Sequence, residues 1–309
     1  MDELERFKTS INLTEFAASR GYALDRRESS RSSAVMRHPD GDKIVIAFIK
    51  PEKGDLTAWY YFSIRDYNDN GSIIDFIQNR GGGNLGDVRK TLRHFSGSSR
   101  PRIPKTDYIP QMLPLTRDRA AAIMAYEQAA FCAAVPYLTA RGLDAQLITL
   151  PRFIRRFKIE AKHGNVLFPH YDKDGLCGFE VKNKGFTGFS GGGYKGLWHS
   201  VCFSADKTLV LAESAIDAIS YHALQPDETA RYMSTGGKMN PNQPALIRAA
   251  MERMPKGSKV VAAFDNDPDG EKLADEVRAL APSGLEVVRP LPPVGKDWNE
   301  TLKKKLGLT

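Results

Sequence analysis

Two apolar runs in the last third of the chain each end in acidic side chains. The run "TLVLA" is followed by Glu213, with Asp217 four residues further on, and the run "VVAAF" is followed by Asp265 and Asp267. If the runs are neighbouring parallel strands, their carboxyl ends meet at one sheet edge, where the functional groups of open sheets collect. We therefore expect the four carboxylates to form one acidic cluster.

Such a cluster has a definite chemical consequence. Carboxylates that share one edge repel one another, and a divalent cation bound between them relieves the repulsion. Their hard oxygen ligands suit Mg²⁺ or Mn²⁺. Asp267 or Asp269 alone could equally be a turn or helix-cap residue, because Asp favours both. Glu213 leaves an apolar strand and has no such advantage, so the pattern as a whole indicates a metal site.

The segments that would position these acids alternate between strand and helix. Apolar runs that fit strands alternate with segments that fit helices from residue 207 to residue 293. This spacing is typical of βαβ units around a mostly parallel sheet. Gly270 is then the glycine at the start of the helix after the second acidic strand.

Upstream of these units, the sequence predicts a helical region and a hairpin. Residues 116–150 have helical periodicity with few breakers before Pro136. The segment "NVLFPHYDKDGLCGFEVKN" contains two apolar runs joined by "DKDG", which predicts a β-hairpin that turns at Asp174–Gly175. The glycine-rich "FSGGGYKGLW" has neither GxxxxGK[ST] nor GxGxxG, so a P-loop or dinucleotide fingerprint has no support.

Residues 11–95 predict a small α+β region. "NLTEFAASRGY" fits a helix with Asn12 or Thr14 as its cap and Gly21 at its end. "DKIVIAFIK" and "TAWYYFSI" fit strands, and "NGSIIDFIQNRGGGNLGDVRKTLRHF" fits two helices around a glycine loop. "SGSSRPRIPKTDYIPQMLP" has the Ser, Pro and basic composition of a linker.

The charge of the chain is compatible with a polyanionic partner. The formal net charge is +7, from 44 Lys and Arg against 37 Asp and Glu. The segment "RFIRRFKIEAKHG" places basic residues around aromatic ones, and it is either a solvated helix face or a groove for nucleic acid. Its basic residues are Arg152, Arg155, Arg156, Lys158 and Lys162.

Cysteine usage and hydropathy favour a cytoplasmic protein with no membrane partner. Cys132, Cys177 and Cys202 are widely separated and form no CxxC spacing, which argues against a disulfide scaffold and a zinc ribbon. "MDELERFKTS" has no apolar signal core, and no apolar run is long enough to span a membrane.

The acidic pattern resembles the Toprim domain, which bacterial-type primases, topoisomerases and some nucleases share. Its hallmark is a strand ending in Glu, a helix carrying an acid, and a later strand ending in Asp-x-Asp, as in "VLAESAIDAISY" and "VVAAFDNDPDG". Ser214 departs from the pattern, which commonly has glycine there. The resemblance implies that Asp265 and Asp267 are the main metal ligands, with Asp217 as a further ligand. It implies that Glu213 is a ligand or a general base.

Further motifs resemble those of bacterial-type, DnaG-like primases. "YLTARGLDAQLI", "NVLFPHYDKDGLCGFEVKN", "MSTGG" and "GKDWNE" occur in the order found in that family, over roughly residues 115–300. The resemblance implies that Lys182, Lys184 and Lys195 face a triphosphate or template. It also implies that the basic segment is a template groove, and it adds Lys296 and Asp297 of "GKDWNE" to the site.

The N-terminal region resembles the zinc-ribbon domain of these primases without its metal ligands. "NGSIIDFIQNRGGGNLGDVRKTL" is similar to the helix that ends that domain. Val35 precedes His38 where the family has Cys-x-x-His, and Ser63 and Asp66 replace a second cysteine pair. We therefore expect a degenerate ribbon with no structural zinc that still contacts DNA.

These inferences divide the chain into four parts of an α/β protein. Residues 1–95 are the ribbon-like domain, 96–115 a linker, 116–203 an α+β primase-like subdomain, and 204–309 a Toprim domain with a mostly parallel sheet flanked by helices. The chain ends soon after "GKDWNE". We therefore expect no helicase-binding domain in it, although the resemblance implies a replicative helicase or another replication protein as a partner.

Three classes of function fit the residues. The first is a primase-like nucleotidyltransferase of a mobile element such as a plasmid or phage, acting on single-stranded DNA and nucleoside triphosphates. The second is a Toprim nuclease that uses the same metal site, and the third is a non-catalytic DNA-binding accessory in replication or mobilisation. The upstream motifs favour the first over the second, and the complete set of acids favours it over the third.

Overall fold

The computed structural model describes residues 2–49, 57–64, 69–97, 103–114 and 117–308. The chain forms two compact units, residues 1–117 and 118–309. The four-part division expected from the sequence is finer and stays a prediction. Residues 98–102 and 115 of the predicted linker lie outside the described residues.

The described residues of the first unit form an antiparallel five-stranded sheet and four helices. The strands follow the order β1-β2-β3-β4-β5. The elements are α1 (Glu3–Ser10), α2 (Leu13–Ala18), β1 (Ala23–Asp25), β2 (Ser33–Arg37), β3 (Lys43–Ile49), β4 (Ala58–Ser63), β5 (Asn70–Gly71), α3 (Ile73–Gly81) and α4 (Leu85–Ser96).

Local signals in this unit set the ends of α2. The side chain of Asn12, and not that of Thr14, caps the helix. Gly21, with φ of +91°, follows the helix end, and this left-handed conformation favours glycine. Of the residues compared with zinc ligands, Val35 is buried in β2 and Ser63 ends β4, whereas Asp66 lies outside the described residues.

The second unit begins with short helices and an antiparallel sheet of order β6-β7-β8-β9. The helical region predicted at 116–150 contains three short helices, because Ala130 bridges to Ile159 and Pro136 starts a new helix. The predicted hairpin is formed by β7 and β8. The elements are α5 (Arg119–Glu127), α6 (Pro136–Thr139), α7 (Ala145–Ile148), β6 (Lys158–Ile159), β7 (Val166–Asp172), β8 (Gly175–Asn183) and β9 (Phe186–Phe189).

The rest of this unit is a five-stranded, mostly parallel sheet flanked by helices, which confirms the predicted fold class. The strand order is β10-β12-β11-β13-β14, and only the edge strand β10 runs antiparallel to its neighbour. The elements are β10 (Trp198–His199), β11 (Thr208–Ala212), α8 (Ala215–Leu224), β12 (Ala230–Ser234), α9 (Gln243–Glu252), β13 (Lys259–Ala262), α10 (Pro268–Leu280), β14 (Glu286–Val288) and α11 (Trp298–Lys305).

The central strand β11 is buried on both faces, as strands of parallel sheets usually are. Val210 and Ala212 belong to one hydrophobic cluster, with residues of α8 and α11. Leu209 and Leu211 belong to another, with residues of α9 and α10. The two helical layers therefore fix the sheet edge from which the acidic residues emerge. No helix among the described residues is long and apolar enough to cross a membrane.

Candidate active site

Glu213 and Asp265 follow neighbouring strands at the same end of the parallel sheet. β11 and β13 pair in parallel, with Leu211 opposite Ala262. Beyond that pair, the N–H of Ala263 donates to the carbonyl oxygen of Leu211 at 2.7 Å. The two acidic segments expected to meet at one sheet edge therefore lie side by side.

Asp217 lies in the first turn of α8 and is held on both oxygens. Its Oδ2 accepts a hydrogen bond from the Ser214 hydroxyl at 2.5 Å, and its Oδ1 accepts one from the backbone N–H of Asn299 at 3.2 Å. Burial raises the pKa of Asp217 to about 7, and the charge of Asp297 adds to the increase. Ser214, the departure from the Toprim pattern, caps α8 and contacts this acid.

Asp265 is buried, and one of its oxygens has no partner. Its Oδ1 accepts no hydrogen bond from any described residue. Burial raises the pKa of Asp265 to about 8, and the charges of Glu213 and Asp217 contribute. Burial also raises the pKa of Glu213. Acids perturbed in this way, within one cavity, are characteristic of functional sites.

Asp267 has two roles, one structural and one electrostatic. Its Oδ1 accepts a hydrogen bond from the Gly270 N–H at 2.7 Å, so it caps α10. Its Oδ2 lies 2.8 Å from the Lys296 ammonium. Burial pushes the pKa of Asp267 upward, but the hydrogen bonds from Lys296 and Gly270 hold it below its ordinary value. Gly270 is required there, because a Cβ would overlap the carbonyl oxygen of Asp265.

Glu213, Asp217 and Asp265 border a cavity of about 320 Å³ that the hairpin strands also reach. Lys182 of β8 and Thr187 of β9 contribute to the wall. The full lining is Tyr137, Arg141, Glu180, Lys182, Thr187, Glu213, Ser214, Ile216, Asp217, Gly236, Gly237, Asp265, Asp297 and Asn299. The cavity thus joins the edge of the parallel sheet to the hairpin that precedes it.

Glu180 is a buried acid of this cavity that the sequence analysis missed. Its Oε1 lies 3.1 Å from the Lys182 ammonium, and its Oε2 lies 3.9 Å from Nε2 of the fully buried His170. Neither Oε2 nor Nε2 has a hydrogen-bond partner among the described residues. Burial opposes the charge of Glu180, yet His170 and Lys182 hold its pKa below the ordinary value. Glu180 therefore fixes the position of Lys182.

The other two candidate lysines occupy different environments. Lys195 is largely buried and donates to the carbonyl oxygen of Lys238 at 2.6 Å. Burial lowers its pKa to about 8, against the opposing charges of Glu180 and Glu213. Lys184 is exposed in the turn between β8 and β9 and does not line the cavity.

The basic segment is only partly available to a nucleic acid. Arg152 is 6% exposed and pairs with the buried Asp206 at 2.8 Å, which corrects its expected place in a template groove. The Lys158 ammonium donates to the carbonyl oxygen of Tyr126 at 3.1 Å. Arg155 is exposed and Arg156 half-buried, so the exposed part of the segment is smaller than the sequence indicates.

The ligand set fits a hard divalent cation, although the acids are not arranged as a closed metal site. No three His, Cys, Asp or Glu side chains of the described chain converge closely enough to hold a metal. The donors at the sheet edge are nevertheless carboxylates, and a buried oxygen of Asp265 has no partner in the part of the chain that the structure describes. Burial, and after it the charges of neighbouring acids, raises the pKa of Asp265 and Glu213, and a bound cation would favour their charged forms.

A larger cavity, of about 720 Å³, lies in the first unit. Phe16, Tyr22 and Phe76 contribute to it, together with Arg20 and Arg80. Its described lining includes Asp40, Asp42 and Asp87, none of which follows a strand of a parallel sheet, so its size does not make it the candidate active site.

A strand ending in Glu, a helix with a buried acid and a parallel strand leading to Asp-x-Asp define a Toprim-like domain. Residues 210–302 match the family described as Toprim-like. The chain therefore carries a Toprim-like domain. Residues 136–207 match a second family, described as a protein of unknown function (DUF3991). No curated protein matches the sequence.

Several solved structures are similar at low identity. The primase fragment of the bacteriophage T7 primase-helicase is 21% identical, with a TM-score of 0.41, covering 57% of this chain and 70% of that one. A chain in the complex of T7 lagging-strand DNA polymerase with primase domains, an RNA/DNA hybrid and dTTP is 20% identical, with a TM-score of 0.41 and coverages of 58% and 86%. The RNA polymerase domain of Mycobacterium tuberculosis primase DnaG is 17% identical, with a TM-score of 0.32 and coverages of 76% for both chains. Likeness at this level carries no conclusion about activity.

Proposed function

We propose that this protein is a primase-like nucleotidyltransferase that makes short primers on single-stranded DNA. The observation that carries the proposal is a shared cavity, in which Glu213 and Asp265 meet Lys182 from the preceding hairpin. In such a cavity the carboxylates can bind the metal, and the ammonium group can bind the phosphates of a nucleotide. The primase-like order of the motifs from "YLTARGL" to "GKDWNE" supports this reaction over DNA cleavage by a Toprim nuclease.

In this proposal Asp265 and Asp267 hold Mg²⁺ or Mn²⁺, with Glu213 beside them. When bound, the ion neutralises charge on the reacting phosphates and helps to align them. We assign Asp217 a supporting role and not that of a ligand, because hydrogen bonds from Ser214 and Asn299 already engage both of its oxygens. Its contribution is to hold the start of α8 and to add negative charge.

The reaction joins a 3′-hydroxyl to a nucleotide. The hydroxyl oxygen attacks the α-phosphorus, the bond to pyrophosphate breaks, and the hydroxyl proton passes to a base. Glu213 is the candidate base where it is not a metal ligand, because its raised pKa brings it closer to neutral pH. The Lys182 ammonium, fixed by Glu180 at 3.1 Å, offsets phosphate charge.

Template binding is assigned to basic residues at the surface. Arg155 and Lys184 are exposed and Arg156 is half-buried, and their contacts with the nucleic-acid backbone would give affinity without sequence preference. We further propose that the ribbon-like first unit contacts DNA without zinc. A plasmid or phage is the proposed source of such a primase, with a replicative helicase or another replication protein as its partner.

Primer synthesis on a defined template tests the proposal. The full chain is incubated with single-stranded DNA, labelled ribonucleoside or deoxyribonucleoside triphosphates, and Mg²⁺ or Mn²⁺, and the products are sized on a gel. We expect short products that disappear with EDTA and in Glu213→Gln and Asp265→Asn. Asp269→Asn is the matched control, because Asp269 lies in the first turn of α10 and pairs with Lys272 at 3.6 Å.

Other results would assign a different function. Shortened template without new products would identify the nuclease. DNA binding without either activity, in wild-type protein that is folded, would identify the accessory. Products that persist in both acid variants would show that another protein made them.

A further inference from the structure

Lys296 lies on a loop whose backbone is held against the Asp265–Asp267 segment. The N–H of Asn266 donates to the carbonyl oxygen of Lys296 at 2.7 Å, and the N–H of Lys296 donates to Oε2 of Glu300 at 2.8 Å. Gly295 precedes it with φ of +84°, and a Cβ at Gly295 would overlap the Glu300 carboxylate. The position of the Lys296 backbone is therefore fixed.

The Lys296 side chain is less constrained than its backbone. It is 58% exposed, and its ammonium lies 2.8 Å from Oδ2 of Asp267 and 3.7 Å from Oδ2 of Asp265. The two aspartates form ion pairs with this ammonium through the same groups that are proposed to hold the metal. Lys296 is thus a cation tethered to the candidate metal ligands.

An ammonium and a divalent cation cannot share these oxygens without strong repulsion. Like charges within about 4 Å repel appreciably even at a partly solvated site. The flexible Lys side chain can turn away, whereas the backbone of the loop stays in place. The displaced ammonium then remains at the edge of the site, where the phosphates of a nucleotide would lie under the proposed function.

We propose that Lys296 is a phosphate-binding residue of this site that is released for that role when a divalent cation takes over Asp265 and Asp267. The proposal rests on the proposed function for the location of the triphosphate. Without the metal, the Lys296 ammonium pairs with Asp267 at 2.8 Å and lies 3.7 Å from Asp265. With the metal, the same ammonium neutralises phosphate oxygens, so metal and triphosphate bind cooperatively.

This exchange has a consequence for each ligand. Removing the Lys296 charge eliminates the competitor of the metal, so metal affinity increases. It also eliminates a phosphate contact, so triphosphate affinity in the presence of metal decreases. Because coupling between two ligands is reciprocal, both changes reduce the cooperativity.

Binding measurements on Lys296→Met test the proposal without an activity assay. Calorimetry with Mn²⁺ and no nucleotide should show roughly tenfold tighter binding than in wild type. At saturating Mn²⁺, ATP with a methylene group between its α- and β-phosphorus should bind roughly tenfold more weakly. Lys272→Met is the matched control, because Lys272 pairs with Asp269 and not with the proposed ligands; both affinities should stay within about twofold.

Two further variants separate the exchange from a folding defect. Lys296→Arg keeps the charge and should bind Mn²⁺ much more nearly like wild type than Lys296→Met does. Asp267→Asn removes the closer partner of Lys296, so it should bind the ATP analogue more tightly than wild type in EDTA. Thermal unfolding of every variant verifies that the proteins compared are folded.

The possible failures are distinguishable. Mn²⁺ affinity that is unchanged or lower in folded Lys296→Met overturns the exchange and leaves the proposed primase activity untouched. If metal and triphosphate bind cooperatively as proposed but the protein makes no primer, only the proposed primase activity is contradicted. Wild-type protein that binds no Mn²⁺ at millimolar concentration overturns both.

Discussion

The backbone N–H of Asn299 donates to Oδ1 of Asp217 at 3.2 Å, across 82 residues of sequence. The Asn299 side chain also donates to the carbonyl oxygen of Arg141 at 2.8 Å and to the Ser220 hydroxyl at 3.0 Å. The start of α11 is therefore tied to α8 and to the "RGL" segment. This explains how "GKDWNE" contributes to a site whose acids come from distant strands.

Replacing Asn299 by Asp should destabilise the metal-free protein. The variant loses the two hydrogen bonds donated by the side-chain amide and adds a negative charge near Asp217, whose pKa burial already raises to about 7. We expect a loss of about 2–4 kcal/mol in the free energy of unfolding at pH 8, and a smaller loss at pH 5, where the acids are protonated more fully. Urea unfolding in EDTA measures both values.

Asn266→Asp is the control for the charge change, because Asn266 is exposed between Asp265 and Asp267. It should change the unfolding free energy by about 0.5 kcal/mol or less. Equal losses in the two variants would mean that added charge, and not the Asn299 contacts, determines the result.

The raised pKa of Asp265 makes the stability of the metal-free protein depend on pH. Burial and the neighbouring acids raise this pKa to about 8 from its ordinary value of 3.8. Between these two values, the folded state therefore binds a proton that the unfolded state has lost. The contribution of Asp265 to stability is complete below the unfolded pKa and is lost as pH rises through the folded pKa. Asp265→Asn should therefore stabilise the protein more at pH 8 than at pH 5, with the difference on the order of 1–3 kcal/mol.

The comparison uses the difference between wild type and variant at each pH, because acids with lowered pKa, such as Glu180, have the opposite dependence. Urea unfolding in EDTA is the measurement, and Asp269→Asn is the control. Adding Mg²⁺ should then stabilise wild type more than Asp265→Asn. A stabilisation by Asp265→Asn that is the same at both pH values would contradict the raised pKa.

Arg152 and Arg155 should behave differently when each is replaced by Ala. Arg152→Ala removes the guanidinium that pairs at 2.8 Å with the fully buried Asp206 and leaves this acid paired with Arg231 at 3.2 Å. We expect a loss of about 2–4 kcal/mol in the free energy of unfolding. Arg155→Ala should have little effect on stability, because its side chain is exposed, but it should weaken the binding of single-stranded DNA.

The two effects are measured by urea unfolding and by fluorescence anisotropy with a labelled oligonucleotide at several salt concentrations. Arg155→Ala should bind less tightly and with a smaller salt dependence, because it removes one backbone contact. Full stability in Arg152→Ala, or unchanged DNA binding in Arg155→Ala, would contradict the respective assignment.

Short-range pattern is sufficient to predict the parallel-sheet units. The apolar run before Glu213 and the run before Asp265 are each interpretable without their neighbours, because burial on both faces requires a continuous apolar strand. The adjacent position of the two strands follows from the βαβ alternation. Local cap chemistry likewise limits the cap of α2 to Asn12 or Thr14, of which Asn12 is the cap, and marks Asp267 as a possible cap of α10.

The features that the sequence does not predict depend on contacts between residues far apart in the chain. The local pattern around Arg152 indicates an exposed residue, because its buried partner Asp206 lies 54 residues away and has no part in that pattern. Glu180 follows an apolar residue in a strand, where an acid usually faces solvent, but it is buried and lies close to Gly236, which is 56 positions further along the chain. Helical periodicity after residue 116 does not reveal that Ala130 pairs with Ile159.

Gly236 should be required for the shape of the cavity because it has no side chain, and not only because of its backbone conformation. Its φ is +66°, and a Cβ there would lie 2.8 Å from Cε1 of His170 and 3.2 Å from Cδ of Glu180. His170 cannot easily move, because it is fully buried and its Nδ1 lies 2.7 Å from the carbonyl oxygen of Gly196. Gly236→Ala should therefore lower the free energy of unfolding by roughly 2–4 kcal/mol, from overpacking and backbone strain together.

Gly185→Ala separates the two causes. Gly185 has a similar φ of +71°, but no atom lies within 4 Å of the position its Cβ would take, so only the strain of about 1–2 kcal/mol remains. Urea unfolding compares the variants. In the primer assay, Gly236→Ala should also raise the KM for nucleotide, because displacement of Glu180 moves the Lys182 ammonium that it holds at 3.1 Å. If the two variants are equally destabilised and the KM is unchanged, a Cβ at position 236 does not displace His170 or Glu180, and the prediction is wrong.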